Sequence, residues 1–194
     1  MFFKGKYEFK PDRTDSGTLK KLYLTPIQRK RLLKWGLVSL VLLVLSLLQD
    51  AVLSRVSIYG ATFDLVACGI LLAGMLFDPD TTAVFTLVSS ALYYFSGTAP
   101  GSYSIAFLTG LGTLLCIFRR SYLQRCFSTI YICAAAGMMV YELMVFATGL
   151  FLGNTLVDRL GVFALCGGLS AAVMPLLYPV FLSISNIGGE TWKE

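Results

Sequence analysis

The chain has 194 residues and a formal net charge of +5, is 56% hydrophobic and 14% charged, and has a mean hydropathy of +0.73. A soluble domain carries about a quarter charged residues, so this composition excludes an ordinary soluble fold and points to one domain lying in lipid. Histidine is absent, which removes the usual general base near neutral pH and the commonest metal ligand; no enzyme activity and no catalytic, cofactor or metal site is expected.

Residues 1–33 are polar and basic and are read as a cytoplasmic tail; the first apolar run starts too late for a cleaved signal peptide. Up to residue 34 the chain holds ten Lys and Arg against Glu8, Asp12 and Asp15. Of these, Arg29, Lys30, Arg31 and Lys34 lead into the first helix. They serve either as a topology signal or as a contact for anionic headgroups or an acidic partner. No nucleic-acid motif accompanies them.

A helix needs about 20 mostly apolar residues to cross a bilayer core, and six segments approach this. Trp35–Leu53 is a Leu/Val run, closing on Gln49 and Asp50 and nearly free of small residues, which suits lipid or a partner's transmembrane helix. Ile58–Phe77 follows and stops at Asp78-Pro79-Asp80, where Asp80 is expected to N-cap the next helix rather than to bind a metal. Thr81–Ser96 and Tyr103–Phe118 are short. Between them Gly97, Pro100 and Gly101 break the helix, so the loop must dip among the helices or sit at the interface. Ser128–Gly153 and Leu160–Ile184 can cross with tilt, the latter bent at Pro175 and Pro179. The membrane domain is thus 34–185 and the C-terminal tail 186–194.

Lys and Arg are retained on the cytoplasmic side of short loops. Beyond the ten at the N-terminus, three (Arg119, Arg120, Arg125) lie in the 119–125 loop and one in the C-terminal tail, leaving only Arg55 and Arg159 elsewhere. Six crossings place all the basic regions on one side. The expected fold is an all-α, polytopic protein of the bacterial inner membrane, with six transmembrane helices and both ends in the cytoplasm.

An ionisable group at bilayer depth must find a partner or mark a functional site. Asp50 and Asp64 flank Arg55 and are read as an interfacial cluster. Glu142 has no basic residue within a helical turn and is expected to hydrogen-bond a polar group on another helix, with a ligand or partner contact as the competing role. As the lone ionisable group at depth, it argues against a proton relay. Small residues four apart, which let helices approach closely, occur at Gly69/Ala73, Ala106/Gly110 and Gly168/Ala172, with Ala134–Gly137 on the fifth helix; all are read as internal packing faces. The five cysteines lack C-x-x-C spacing and are read as small hydrophobes.

Over about residues 34–153 the sequence resembles the rod shape-determining membrane proteins called MreD. The similarity lies in Leu48-Gln49 closing the first helix and in Ser57-Ile58-Tyr59-Gly60-Ala61-Thr62-Phe63-Asp64-Leu65 leading into the second, with Phe63 where the family has proline. It continues through the Gly97–Ser102 turn before Tyr103-Ser104-Ile105-Ala106 and through Arg119-Arg120. The resemblance implies a non-enzymatic scaffold of the peptidoglycan elongation machinery that maintains cell shape. Its implied partners are an MreC-like bitopic protein, MreB, and RodA with its transpeptidase. It also implies a fold similar to the substrate-binding subunits of energy-coupling-factor transporters, which gives the alternative: a vitamin-binding membrane subunit. The first helix lacks the Ala-x-x-x-Ala face of such subunits, and the polar ligand candidates are few: Asp64, Tyr93, Tyr94, Asn154 and Asp158.

Overall fold

The computed structural model describes residues 26–77, 79–122 and 126–187, and within these the chain is helical without a strand. Six helices follow in order: α1 (Pro26–Ala51), α2 (Leu65–Leu76), α3 (Pro79–Phe95), α4 (Tyr103–Tyr122), α5 (Phe127–Phe151) and α6 (Leu160–Ser185). Three apolar spans, Leu32–Ala51, Phe127–Phe151 and Val157–Ser185, the last taking in a short 3-10 turn ahead of α6, are long enough to cross a membrane. Outward-facing Leu40, Leu47, Val84, Leu92, Leu143 and Leu176 are each about half exposed or more. So much apolar surface is foreign to a protein in water and ordinary in lipid.

The fold is organised around α2. All 12 of its residues are buried, and α1, α3, α4, α5 and α6 each pack against it. At about 1.5 Å per residue it rises only about 18 Å, less than a bilayer core, which protein rather than lipid allows: broken backbone is tolerated at membrane depth where it is enclosed. The expected helix over Ile58–Phe77 is therefore corrected at its start. Residues 58–61 form a tight turn in which Ile58 and Ala61 exchange both backbone hydrogen bonds at 2.9 Å. Tyr59 (φ 53°) and Gly60 (φ 81°) sit at its tip, and two successive positive φ angles are incompatible with a right-handed helix.

The helices alternate in direction. Lys34 at the start of α1 donates to the Ser185 carbonyl at the end of α6 (3.0 Å) and lies 4.9 Å from the ring centroid of Phe77, at the end of α2. Trp35, Phe77 and Phe85 form an aromatic cluster at that same end, with centroids 5.3–5.9 Å apart. Of the apolar surface of α1, the stripe Val38, Leu42, Leu45 and Gln49 turns inward, the spacing of a helix seam. α1 begins at Pro26, so the basic stretch before Trp35 is already helical. α3 likewise begins at Pro79, which places Asp80 inside its first turn and not at the N-cap; Asp78 lies outside the described residues. α6 runs unbroken through Pro175 and Pro179.

Close packing uses some of the expected small residues and others besides. Gly69 does pack, since a Cβ there would meet Leu42 and Leu45 at 3.1 Å, and Ala134 and Gly137 are buried. Ala106/Gly110 and Gly168/Ala172, by contrast, face outward, with nothing within 4 Å of a Cβ at either glycine. On α4 the working residue is Gly112, where a Cβ would lie 2.6 Å from the Thr86 methyl; the same methyl lies 3.3 Å from a Cβ at Gly74. Thr86 is thus wedged between α2 and α4, and it also donates to the Thr82 carbonyl at 2.9 Å. Gly112→Ala is expected to cost about 1–3 kcal/mol as an overpacked core. Thr86→Ser, which removes the methyl and keeps the hydroxyl, should recover most of that loss in a double-mutant cycle of unfolding in detergent; strict additivity would contradict this packing.

Candidate functional site

At the end of the bundle away from Lys34, the start of α2 is held by three other helices. A helix N-terminus leaves four N–H groups without intrahelical partners, and here they lie where water is scarce. Asp64 N-caps α2, its Oδ1 accepting from Ala67 N–H at 3.0 Å, while Gln49 of α1 accepts from Val66 N–H at 3.0 Å. Tyr93 of α3 donates to Asp64 Oδ2 at 2.6 Å, and Asp64 N–H donates to Ser170 Oγ of α6 at 2.8 Å. The far end of α2 is finished in the same manner. Thr82 Oγ1 donates to the Gly74 carbonyl (3.1 Å), Cys116 Sγ to that of Phe77 (3.3 Å), and Arg119 of α4 to that of Met75.

Beside the Asp64 cap lies a polar cavity of about 280 Å³, bounded by the ends of α1, α3 and α5, the start of α6 and the loops around residues 60, 98–100 and 155. Asp64, Tyr93, Tyr141, Glu142, Thr155 and Arg159 all lie on its wall. Glu142 is 8% exposed and, among the described residues, makes no hydrogen bond or ion pair; the hydrogen bond expected of it to another helix is not formed. Asp64 lines the same chamber, so Glu142 is not the lone carboxyl there. The Tyr141 hydroxyl and Thr155 Oγ1 are buried without a hydrogen-bond partner.

A second concave feature, an apolar groove of about 640 Å³, separates α1 from α3 on the outer surface. Its walls carry Ser39, Leu43, Ser46 and Leu47 from α1, Val88, Ser89 and Leu92 from α3, and Ser96 just past the end of α3. The two pairs Ser39/Ser46 and Ser89/Ser96 each recur after seven residues, the repeat of a helix that receives another helix along its length.

The other expected site residues are dispersed. The cluster around Arg55 is not formed: Asp64 turns inward to Ala67 and Tyr93, while Asp50 and Arg55 are exposed. Gly97 (φ 78°) ends α3, and Pro100 helps close the cavity, while Gly101 accepts from Ser104 Oγ at 2.6 Å and so starts α4. Arg29, Lys30 and Arg120 are exposed. Lys34 and Arg119 are instead structural, Arg119 being only 6% exposed. The Arg31 side chain and all of Arg125 lie outside the described residues. Of the cysteines, Cys68 and Cys116 are buried and Cys126 is exposed. Tyr94, Asn154 and Asp158 are exposed and off the cavity wall, so of the expected vitamin ligands only Asp64 and Tyr93 reach it. Sequence reasoning missed Tyr141 and Thr155 and read Gln49 only as the close of the first helix; the signal for the site was the Tyr141-Glu142 pair, two polar groups together in an apolar run. No family model, curated protein or solved structure matches the chain.

Proposed function

We propose that this chain is a non-enzymatic, six-crossing scaffold of the bacterial inner membrane that acts as MreD proteins do, recruiting the transmembrane helix of an MreC-like bitopic partner to the peptidoglycan elongation complex. The observation that carries the reading is the α1/α3 groove. Residues 35–47 of α1 rise about 18 Å, three turns of a docked helix, and the serines at heptad spacing permit the close approach that drives helix association where lipid gives no hydrophobic drive. MreB, RodA and its transpeptidase are the further partners of the assembly. The alternating helix directions and the gathering of Lys34 and Arg119 at one end, with Arg159 at the other, support an orientation in which both termini are cytoplasmic.

Affinity purification from mild detergent, read by mass spectrometry, should recover cell-wall elongation proteins, and depletion should round the cells. Ser39→Trp with Ser46→Trp fills the groove and is expected to reduce partner recovery at least about tenfold, the equivalent of one buried anchor, with the protein level unchanged. The polar cavity favours a second reading, a vitamin-binding subunit. Recovery of an ATPase coupling module together with a bound vitamin would establish that reading and overturn the scaffold.

A further inference from the structure

We propose that the polar cavity binds a primary ammonium group, carried by a small zwitterionic solute or by the headgroup of an ethanolamine phospholipid. The inference rests on the chamber alone and stands apart from the scaffold reading.

Folded proteins leave few buried polar groups unpaired, and each one calls for an explanation. Two such groups, the Tyr141 hydroxyl and Thr155 Oγ1, belong to residues lining the chamber, beside a Glu142 carboxyl that makes no hydrogen bond among the described residues. The facing carboxylate of Asp64 is satisfied by Ala67 and Tyr93, so the deficit is confined to the α5 side of the chamber. A molecule that meets these acceptors must offer several donors. An ammonium offers three and no acceptor, and the carboxylate and two hydroxyl oxygens can each accept one. The rings of Phe63, Tyr93, Tyr141 and Phe163 also line the chamber, and aromatic faces attract a cation that has lost its water. Arg159 at the rim can pair with a carboxylate or phosphate on the same molecule, which favours a zwitterion over a simple amine. A metal ion fits less well, since no group of three or more ligating side chains occurs among the described residues.

The test uses the full chain, purified in mild detergent. Millimolar ethanolamine and phosphoethanolamine should each raise the thermal unfolding midpoint, the zwitterion more, whereas tetramethylammonium and glycerol phosphate, lacking N–H donors, should do so far less. Glu142→Gln and Tyr141→Phe should each weaken the apparent affinity about tenfold or more, as expected for losing one charged or buried hydrogen bond. Because neither side chain makes a hydrogen bond that meets ordinary geometry among the described residues, both variants should stay folded. Native mass spectrometry from mixed nanodiscs distinguishes the sources: retention of phosphatidylethanolamine over phosphatidylglycerol, lost in Glu142→Gln, identifies the lipid, and a response to the soluble probes without such retention identifies a free solute. The proposal falls if neither soluble probe shifts unfolding and the two lipids are retained equally, or if both variants respond as the wild type does.

Discussion

Asp64→Ala is expected to lower the stability of the detergent-solubilised protein by about 2–4 kcal/mol. Loss of an N-cap alone costs about 0.5–2 kcal/mol, and this cap lies at the start of a helix whose residues are all buried. The substitution also leaves the Tyr93 hydroxyl, which is 2% exposed as a residue and donates to Asp64 at 2.6 Å, with only the longer contact to the Thr98 carbonyl at 3.4 Å; a poorly paired buried donor costs up to about 1–3 kcal/mol. Asp64→Asn keeps an acceptor for one of the two donors and should lose about half as much. Tyr93→Phe in combination with Asp64→Ala should cost less than the two single changes added together, since the pair removes both partners of one bond. Denaturant titration in mild detergent reads these differences, and an Asp64→Ala protein within about 0.5 kcal/mol of wild type would show that the α2 cap is not what holds this end of the bundle.

The number and order of helices were legible because apolar runs in lipid are long and their interruptions are polar. The inner helix was not separable from the outer ones. Leu65–Leu76 reads as apolar all round, and so does much of Trp35–Leu53, yet one is wholly enclosed and the other turns most of its surface outward; hydropathy has no term for neighbours. Cation counting treated Lys34 and Arg119 as loop charges, although both spend their donors on carbonyls at helix ends, a use that depends on which helix stops nearby. Two of the small-residue faces, Ala106/Gly110 and Gly168/Ala172, failed for the same reason. Gly110 and Gly112 are two residues apart on α4 and lie far round the helix from one another, so a spacing rule selected the outward one. The cavity was half visible. Glu142 stood out by its apolar surroundings, but its proximity to Asp64 depends on α5 and the start of α2 meeting in space, 78 residues apart in sequence.

Arg119 offers the sharpest division between a topological and a structural use of a cation. Its guanidinium donates to the Met75 carbonyl at the last turn of α2, placing positive charge at the negative end of a buried helix. Arg119→Met leaves that carbonyl short of a donor, about 1–3 kcal/mol, and removes a favourable interaction with the helix dipole that reaches about 2 kcal/mol at partly buried sites. A loss of about 2–4 kcal/mol is therefore expected. Arg119→Gln retains a donor without the charge and should fall between. Were Arg119 chiefly an orientation signal, both variants would disturb topology to the same extent. Arg120 and the basic residues of α1 remain in either variant, so orientation should hold. The exposed thiol of Cys126, just before α5, reports it directly through labelling by a membrane-impermeant maleimide in intact and opened cells. Unchanged labelling with graded loss of stability identifies Arg119 as the C-terminal cap of α2, whereas a Cys126 newly reactive from outside would return it to the role of a topology signal.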